Sequence, residues 1–130
     1  MSRYTEKAQA LRDCCEKHYN CAQAVFMAFA DQAGLDLDTA DKIASNFGAG
    51  MKAGSVCGAV TGGLMVLGLF GITDTSDYYS RVKATIGEEL NCAKLLQKNT
   101  EEKKAFCDGL ISACVTVVEA MLKEAGKIQE

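Results

Sequence analysis

An apolar run that carries no charge, residues 56–72, is the feature that most limits how this chain folds. Its length approaches that of a membrane span, which takes about 20 mainly apolar residues. It is the only such run in the chain, and five glycines interrupt it: Gly58, Gly62, Gly63, Gly68 and Gly71. We therefore predict the buried central helix of a soluble bundle, with glycines that let neighbouring helices approach closely. A membrane span is the less favoured alternative.

The composition favours a single helical domain over residues 1–130. A chain of 130 residues has room for one hydrophobic core, and the absence of proline removes the residue that most forcibly interrupts helices. Helix periodicity predicts an all-α bundle of about five to six helices. The net charge is −3 with both signs interspersed, so nothing indicates a nucleic-acid surface. The N-terminus lacks a secretory signal, and we expect a cytoplasmic protein without membrane insertion.

Capping residues predict where the helices begin and end. Asn20 and Gln23 have the spacing of a capping box, for a helix that reaches about residue 32 and stops at Gly34. Ser55 is the predicted cap of the central helix, and Asn91 precedes a short helix over 92–97. Two more predicted helices are 4–17, and 40–47 after Asp38 and Thr39. Asp74 or Ser76 caps a further helix that reaches about residue 89 or is interrupted at Gly87. A last helix runs from the Asn99 and Glu102 capping pair to about 125.

Seven cysteines are the outlying number in the composition. Their odd count and the missing export signal argue against a disulfide framework, which leaves core packing, metal binding or redox chemistry. Cys21, Cys57 and Cys92 each fall at a predicted helix start, where the helix dipole lowers a thiol pKa. Small apolar residues are also common near caps, so a packing role fits each of the three taken alone.

The other cysteines and the single histidine carry weaker signals. Cys107 and Cys114 lie two turns apart on one predicted helix, about 10.5 Å, which is beyond disulfide reach. Cys14, Cys15 and Cys114 are interpreted as structural or incidental. His18 precedes Cys21 by three positions, as a base, a ligand or, more often in such a setting, an incidental residue. No Cys-x-x-Cys pair is present, which removes the thioredoxin-like and zinc-ribbon signatures.

A glycine-rich loop, residues 48–54, precedes the central helix. Its spacing matches neither the dinucleotide fingerprint nor the P-loop, although its amides leave anion binding at the next helix start open. We favour a loop that allows close packing around Cys57.

The motif Cys57-Gly58-Ala59-Val60-Thr61-Gly62 resembles that of the redox-active protein family defined by CGAxxG and four cysteines (C_GCAxxG_C_C). The upstream Asn20-Cys21-Ala22 and the downstream Cys92 and Cys107 complete the resemblance, which covers nearly the whole chain. It implies Cys21, Cys57, Cys92 and Cys107 as the site. Members of the family are associated with transporter loci, and related domains occur with metal cofactors.

Several functions remain open on the sequence alone. The leading hypothesis is a redox protein in which the four cysteines exchange disulfides, or hold an iron–sulfur or other metal centre, with an unknown redox partner or small molecule. Whether it is an oxidoreductase, and whether any cofactor is bound, is left undecided. The alternative is a non-enzymatic metal- or anion-binding module that acts as an accessory to a transporter. A structural protein that forms a homodimer through apolar helices is the third.

Overall fold

The computed structural model describes residues 2–13, 19–98 and 103–128, with Lys98 and Lys103 described by their backbone alone. Within these ranges the chain forms seven α-helices and no strand, so the predicted all-α class is confirmed. Five of the seven are at least 10 residues long. The helices are α1 (Arg3–Arg12), α2 (Cys21–Ala30), α3 (Leu37–Ala44), α4 (Gly58–Leu69), α5 (Ser76–Ile86), α6 (Cys92–Lys98) and α7 (Lys103–Glu124).

Helix α4 is the buried, glycine-rich central helix, as predicted, and it packs against α2 and α7. It is shorter than the predicted 56–72, and Ser55 is not its cap. The backbone before it is drawn instead into an isolated antiparallel bridge between Val56 and Asn91. Cys57 N–H donates to Leu90 O at 2.7 Å, and Cys92 N–H donates to Ser55 O at 2.6 Å. These two hydrogen bonds keep the chain extended up to Cys57, which takes the N-cap position.

The predicted capping box of α2 is confirmed. Asn20 Oδ1 accepts a hydrogen bond from Gln23 N–H, and Gln23 Oε1 accepts one from Asn20 N–H, both at 2.8 Å. The helix runs to Ala30 and continues as a 3-10 turn over Asp31–Ala33. Gly34 ends that turn with a φ of 84°, a left-handed conformation that glycine adopts without strain.

Capping residues and a glycine set the boundaries of three further helices. Helix α3 begins three residues earlier than expected, because the Asp36 carboxylate accepts from Thr39 N–H at 3.1 Å and caps it there. Helix α5 ends at Ile86, at the interruption expected at Gly87, whose φ is 103°. Helix α1 ends at Arg12 with Asp13 as its C-cap, and the predicted end at residue 17 lies outside the described residues.

Other predictions fall on residues that the structure does not describe. These are the roles of Cys14, Cys15 and His18, and the capping pair of Asn99 and Glu102.

Helix α7 closes the bundle along α1, α4 and α5. One face of this helix is buried, at Ile111, Cys114, Val118 and Leu122. Lys104–Glu124 is also long and apolar enough to cross a membrane by length and composition alone, with a mean hydropathy of 1.7. Half of the 18-residue stretch that has this hydropathy is buried inside the protein. The core helix of a soluble protein can have the same length and hydropathy.

Candidate functional site

A cavity of about 220 Å³ lies where three helices begin beside α7, and four cysteines line it. Cys21 is the first residue of α2, Cys57 caps α4 and Cys92 is the first residue of α6, so all three lie at helix starts as predicted. Cys107 lies near the start of α7. The structure therefore brings together the four cysteines that the motif resemblance named.

Glycines allow the segments around this cavity to meet. A Cβ atom on Gly58 would lie 3.1 Å from Cβ of Cys21, tighter than ordinary packing. A Cβ atom on Gly50 would lie 2.8 Å from Cβ of Cys92 and 2.5 Å from the backbone nitrogen of Ser55. These two glycines therefore set how closely α2, α4 and α6 approach one another at the cysteines.

The glycine-rich loop forms a left-handed turn instead of an ordinary loop. The φ angles of Ala49, Gly50, Met51 and Lys52 are 52°, 65°, 62° and 57°. The left-handed conformation costs a residue with a side chain about 1–2 kcal/mol, so three of these four residues store strain beside the cysteines. Ala49 lines the cavity. Sequence reasoning missed this turn because three of its residues do not favour the left-handed region.

The expected lowering of the cysteine pKa values is wrong. A hydrogen bond with the Cys107 side chain, together with burial, raises the pKa of Cys21. Burial raises the pKa of Cys57, and the N–H groups of Ala59 and Val60 at the start of α4 oppose it without overcoming it. Burial, with Cys107 nearby, also raises the pKa of Cys92. Cys21, Cys57 and Cys92 therefore remain protonated at neutral pH, because the neighbouring cysteine at Cys21 and desolvation at all three outweigh the helix dipole.

An ion pair at the cavity wall is a feature that sequence reasoning missed. Arg12 lines the cavity, and its Nε donates to Asp108 Oδ1 at 2.8 Å. The two side chains are only 16% and 13% exposed. Arg12 Nη1 also donates to Tyr19 O at 2.9 Å. The sequence feature that could have indicated this ion pair is the acidic Asp108, which directly follows Cys107 in the first turns of a mainly apolar helix.

Cys114 lies outside the cavity, fully buried in the core. Burial raises its pKa to about 12, and the neighbouring Tyr78 hydroxyl opposes this rise only in part. The Tyr78 hydroxyl in turn donates to Val60 O at 2.8 Å. The surroundings of Cys114 are those of a packed core residue.

A metal site needs several ligand side chains that are close enough to bind the same ion. Within the described ranges, no three histidine, cysteine, aspartate or glutamate side chains form a group that could hold a metal ion. The four thiols share a cavity, but as arranged they do not provide a metal-ligand set.

Fold and site together define a helical protein with a four-thiol cavity. The family model described as "Putative redox-active protein (C_GCAxxG_C_C)" matches residues 19–121, and the chain belongs to this family. The family's name writes the motif with Gly before Cys (GCAxxG), whereas this chain has Cys before Gly, in Cys57-Gly58-Ala59. The comparisons with curated proteins and with solved structures gave no match.

Proposed function

We propose that the protein carries out dithiol–disulfide exchange at the cavity lined by Cys21, Cys57, Cys92 and Cys107. One observation carries this proposal: the four cysteines implied by the family pattern line one cavity of about 220 Å³. Cys114, which falls outside the pattern, lies outside the cavity. If the cysteines only packed the core, there would be no reason for the four family cysteines to share one cavity while Cys114 lies outside it.

The chemistry follows from neighbouring thiols. One cysteine attacks a substrate disulfide and forms a mixed disulfide, and a second cysteine displaces the remaining substrate thiol. Because the attacking species is the thiolate, the raised pKa of Cys21, Cys57 and Cys92 makes exchange with any disulfide slow at neutral pH, and its rate should increase as the pH rises. A reducing compartment such as the cytoplasm suits such a site, since it regenerates the dithiol.

Thiol counting on the protein purified without oxygen tests this proposal. A Cys14→Ser/Cys15→Ser variant restricts the count to the other five cysteines, which are Cys21, Cys57, Cys92, Cys107 and Cys114. We expect colourless protein without stoichiometric metal, which loses about two thiols per chain on mild oxidation and regains them with dithiothreitol. A further Cys114→Ser substitution is the matched control and should leave that loss unchanged.

Two results would contradict the proposal. Stoichiometric iron with visible charge-transfer bands, or stoichiometric zinc, would favour the metal centre or the metal-binding accessory module instead. Unchanged thiol counts after oxidation would remove the exchange reaction altogether.

A further inference from the structure

The ion pair at the cavity wall places its two charges unequally. Arg12 is one of the residues that line the cavity, whereas its partner Asp108 is not. The two side chains are only 16% and 13% exposed, so water screens their charges weakly. The positive member of the pair therefore borders the four thiols, while the carboxylate lies outside the cavity lining.

Two hydrogen bonds fix the Arg12 guanidinium beside the backbone that carries two of the cysteines. Its Nη1 donates to Tyr19 O at 2.9 Å, two residues before Cys21. Its Nε donates to Asp108 Oδ1 at 2.8 Å, and Asp108 directly follows Cys107. A charge that is held in place before the reaction stabilises a developing negative charge without any reorganisation.

Few other charges lie on the elements that surround the thiols. Helices α2 and α4 contain no charged residue. Lys94 of α6 is 66% exposed and lies 3.9 Å from Glu89. Among the described residues that line the cavity, Arg12 alone carries a formal charge.

The carboxylate of Asp108 does not belong to Arg12 alone. Its Oδ2 accepts from Gln9 Nε2 at 3.0 Å and from Lys104 Nζ at 2.8 Å. Lys104 in turn pairs with Asp13, and neither of these two residues lines the cavity. The negative charge of Asp108 is thus shared with groups on the outer side of the pair, which leaves Arg12 directed at the thiols.

Burial and Arg12 act on the thiols in opposite directions. Removal of a thiolate from water disfavours it, whereas a positive charge nearby favours it. At Cys21 the neighbouring Cys107 and burial raise the pKa, and the charge of Arg12 opposes this rise. A guanidinium stays charged throughout the pH range in which thiols ionise, so this opposition is permanent.

We propose that Arg12 is the residue that stabilises the thiolate form of the cavity cysteines and so determines how fast exchange starts at a given pH. This inference rests on the proposed exchange function and adds a residue to it. The thiol proton passes to solvent, and the thiolate forms a bond to one sulfur of the substrate disulfide as the substrate S–S bond breaks. The other substrate sulfur leaves as a thiolate, so atoms and electrons balance.

Alkylation of the individual cysteines measures how much thiolate each one forms. The Cys14→Ser/Cys15→Ser protein is reacted with iodoacetamide, a small uncharged reagent, at several pH values from neutral to alkaline, and the labelled peptides are quantified by mass spectrometry. Because the thiolate is the reacting species, labelling of the cavity cysteines should become faster as the pH rises. Cys114 is the internal control: it is fully buried outside the cavity and should be labelled only if the protein unfolds.

Arg12→Met removes the charge and should slow the labelling of at least one cavity cysteine by at least about threefold at a given pH. The reason is that a rise of one unit in a thiol pKa removes about nine-tenths of the thiolate, while the remaining thiolate is about three times more nucleophilic. A smaller side chain opens the wall, so altered access would change the rate in the other direction.

Two variants separate the charge of Arg12 from its packing. Arg12→Lys keeps the charge but loses the planar fork, and its labelling rates should stay within about twofold of the parent protein. Lys104→Met is the matched control and should leave the rates unchanged, because it removes a positive charge that binds the same carboxylate but does not line the cavity.

Asp108→Asn tests the same charge with the opposite sign. It leaves Arg12 without its anionic partner and should make labelling of the cavity cysteines faster, and it decides the matter if labelling of Cys114 shows that Arg12→Met is unfolded. Unchanged rates in the folded variants of Arg12 and Asp108 would overturn the inference. So would equal losses in Arg12→Lys and Arg12→Met, or in Lys104→Met and Arg12→Met. Alkylation needs no disulfide exchange, so a failure of the proposed function would appear separately, in the thiol count.

Discussion

At the scale of single residues, burial decides how a cysteine ionises. Cys57 has the helix-start position that the sequence indicated and receives N–H groups from Ala59 and Val60, yet its pKa is raised. Cys114 has no such helix-start position, and burial raises its pKa to about 12. The cost of moving a thiolate out of water therefore exceeds the stabilisation that a helix terminus offers.

Cys114 should make the protein less stable in alkali. The unfolded thiol ionises near its ordinary pKa of about 8.5, while the folded thiol remains protonated up to about pH 12. The unfolded state thus loses protons first, so the free energy of unfolding falls as the pH rises through this window, by up to about 1.4 kcal/mol per pH unit.

Urea unfolding under reducing conditions measures this effect at pH 7, 9.5 and 10.5, which are about 1.5 units below and about one and two units above the thiol's ordinary pKa. Cys114→Ser removes the ionisation and keeps a hydroxyl that can bond Tyr78, so its stability should fall less steeply above about pH 8.5. The two proteins should have the same pH dependence at neutral pH. Parallel curves across the whole range would show that Cys114 does not titrate as its burial implies.

At the scale of helices, the glycines of α4 differ in what surrounds them. A Cβ atom on Gly62 would lie 2.9 Å from the carbonyl oxygen of Ala22 and 2.9 Å from Cβ of Val25. A Cβ atom on Gly68, in the same helix, would have no atom within 4 Å. Gly62 is therefore required for the approach of α2 to α4, whereas Gly68 is not.

Alanine substitutions at these two positions should change stability in opposite directions. Gly62→Ala forces α2 and α4 apart and should lower the free energy of unfolding by about 2–3 kcal/mol. Gly68→Ala is the matched control in the same helix and should raise it by about 0.5–1 kcal/mol, because alanine is the better helix former. Chemical denaturation measures both. Equal effects of the two substitutions would mean that helix propensity, rather than close packing, governs α4.

At the scale of the whole molecule, α1 completes the bundle although it precedes the family-matched residues 19–121. Its Tyr4 ring stacks on Phe29 of α2, with ring centroids 4.5 Å apart. Arg12 at its other end pairs with Asp108 of α7 at the cavity wall. Helix α1 thus adds both a core contact and one wall of the candidate site to the part that the family shares.

The Arg12–Asp108 pair should contribute more to stability than a surface pair. Arg12→Met should lower the free energy of unfolding by about 2 kcal/mol, less than the 3–5 kcal/mol typical of a fully buried pair. The cost is reduced because Gln9 and Lys104 still bind Asp108. Arg81→Met is the control, since the Arg81 and Glu124 side chains are 33% and 60% exposed. It should cost about 1 kcal/mol or less.

Urea denaturation at low and high salt separates these two cases, because salt screens the exposed pair more strongly than the buried one. Similar losses for the two variants would indicate that the Arg12–Asp108 pair is no more than a surface contact.

The sequence by itself determined the features that neighbouring residues decide. The capping box of Asn20 and Gln23 and the end of the following turn at Gly34 depend on residues a few positions apart, and they were predicted correctly. So were the positions of Cys21, Cys57 and Cys92 at helix starts. The motif also indicated the family, which the match over residues 19–121 established.

Only the tertiary structure decided what depends on residues distant in the chain. The bridge between Val56 and Asn91 moved the start of α4 past Ser55, and the left-handed turn at 49–52 formed against the cysteine cavity. Burial reversed the expected pKa direction, and Arg12 met Asp108 across the bundle. Local spacing carries no record of such contacts, because desolvation and packing arise only when separate helices enclose the same space.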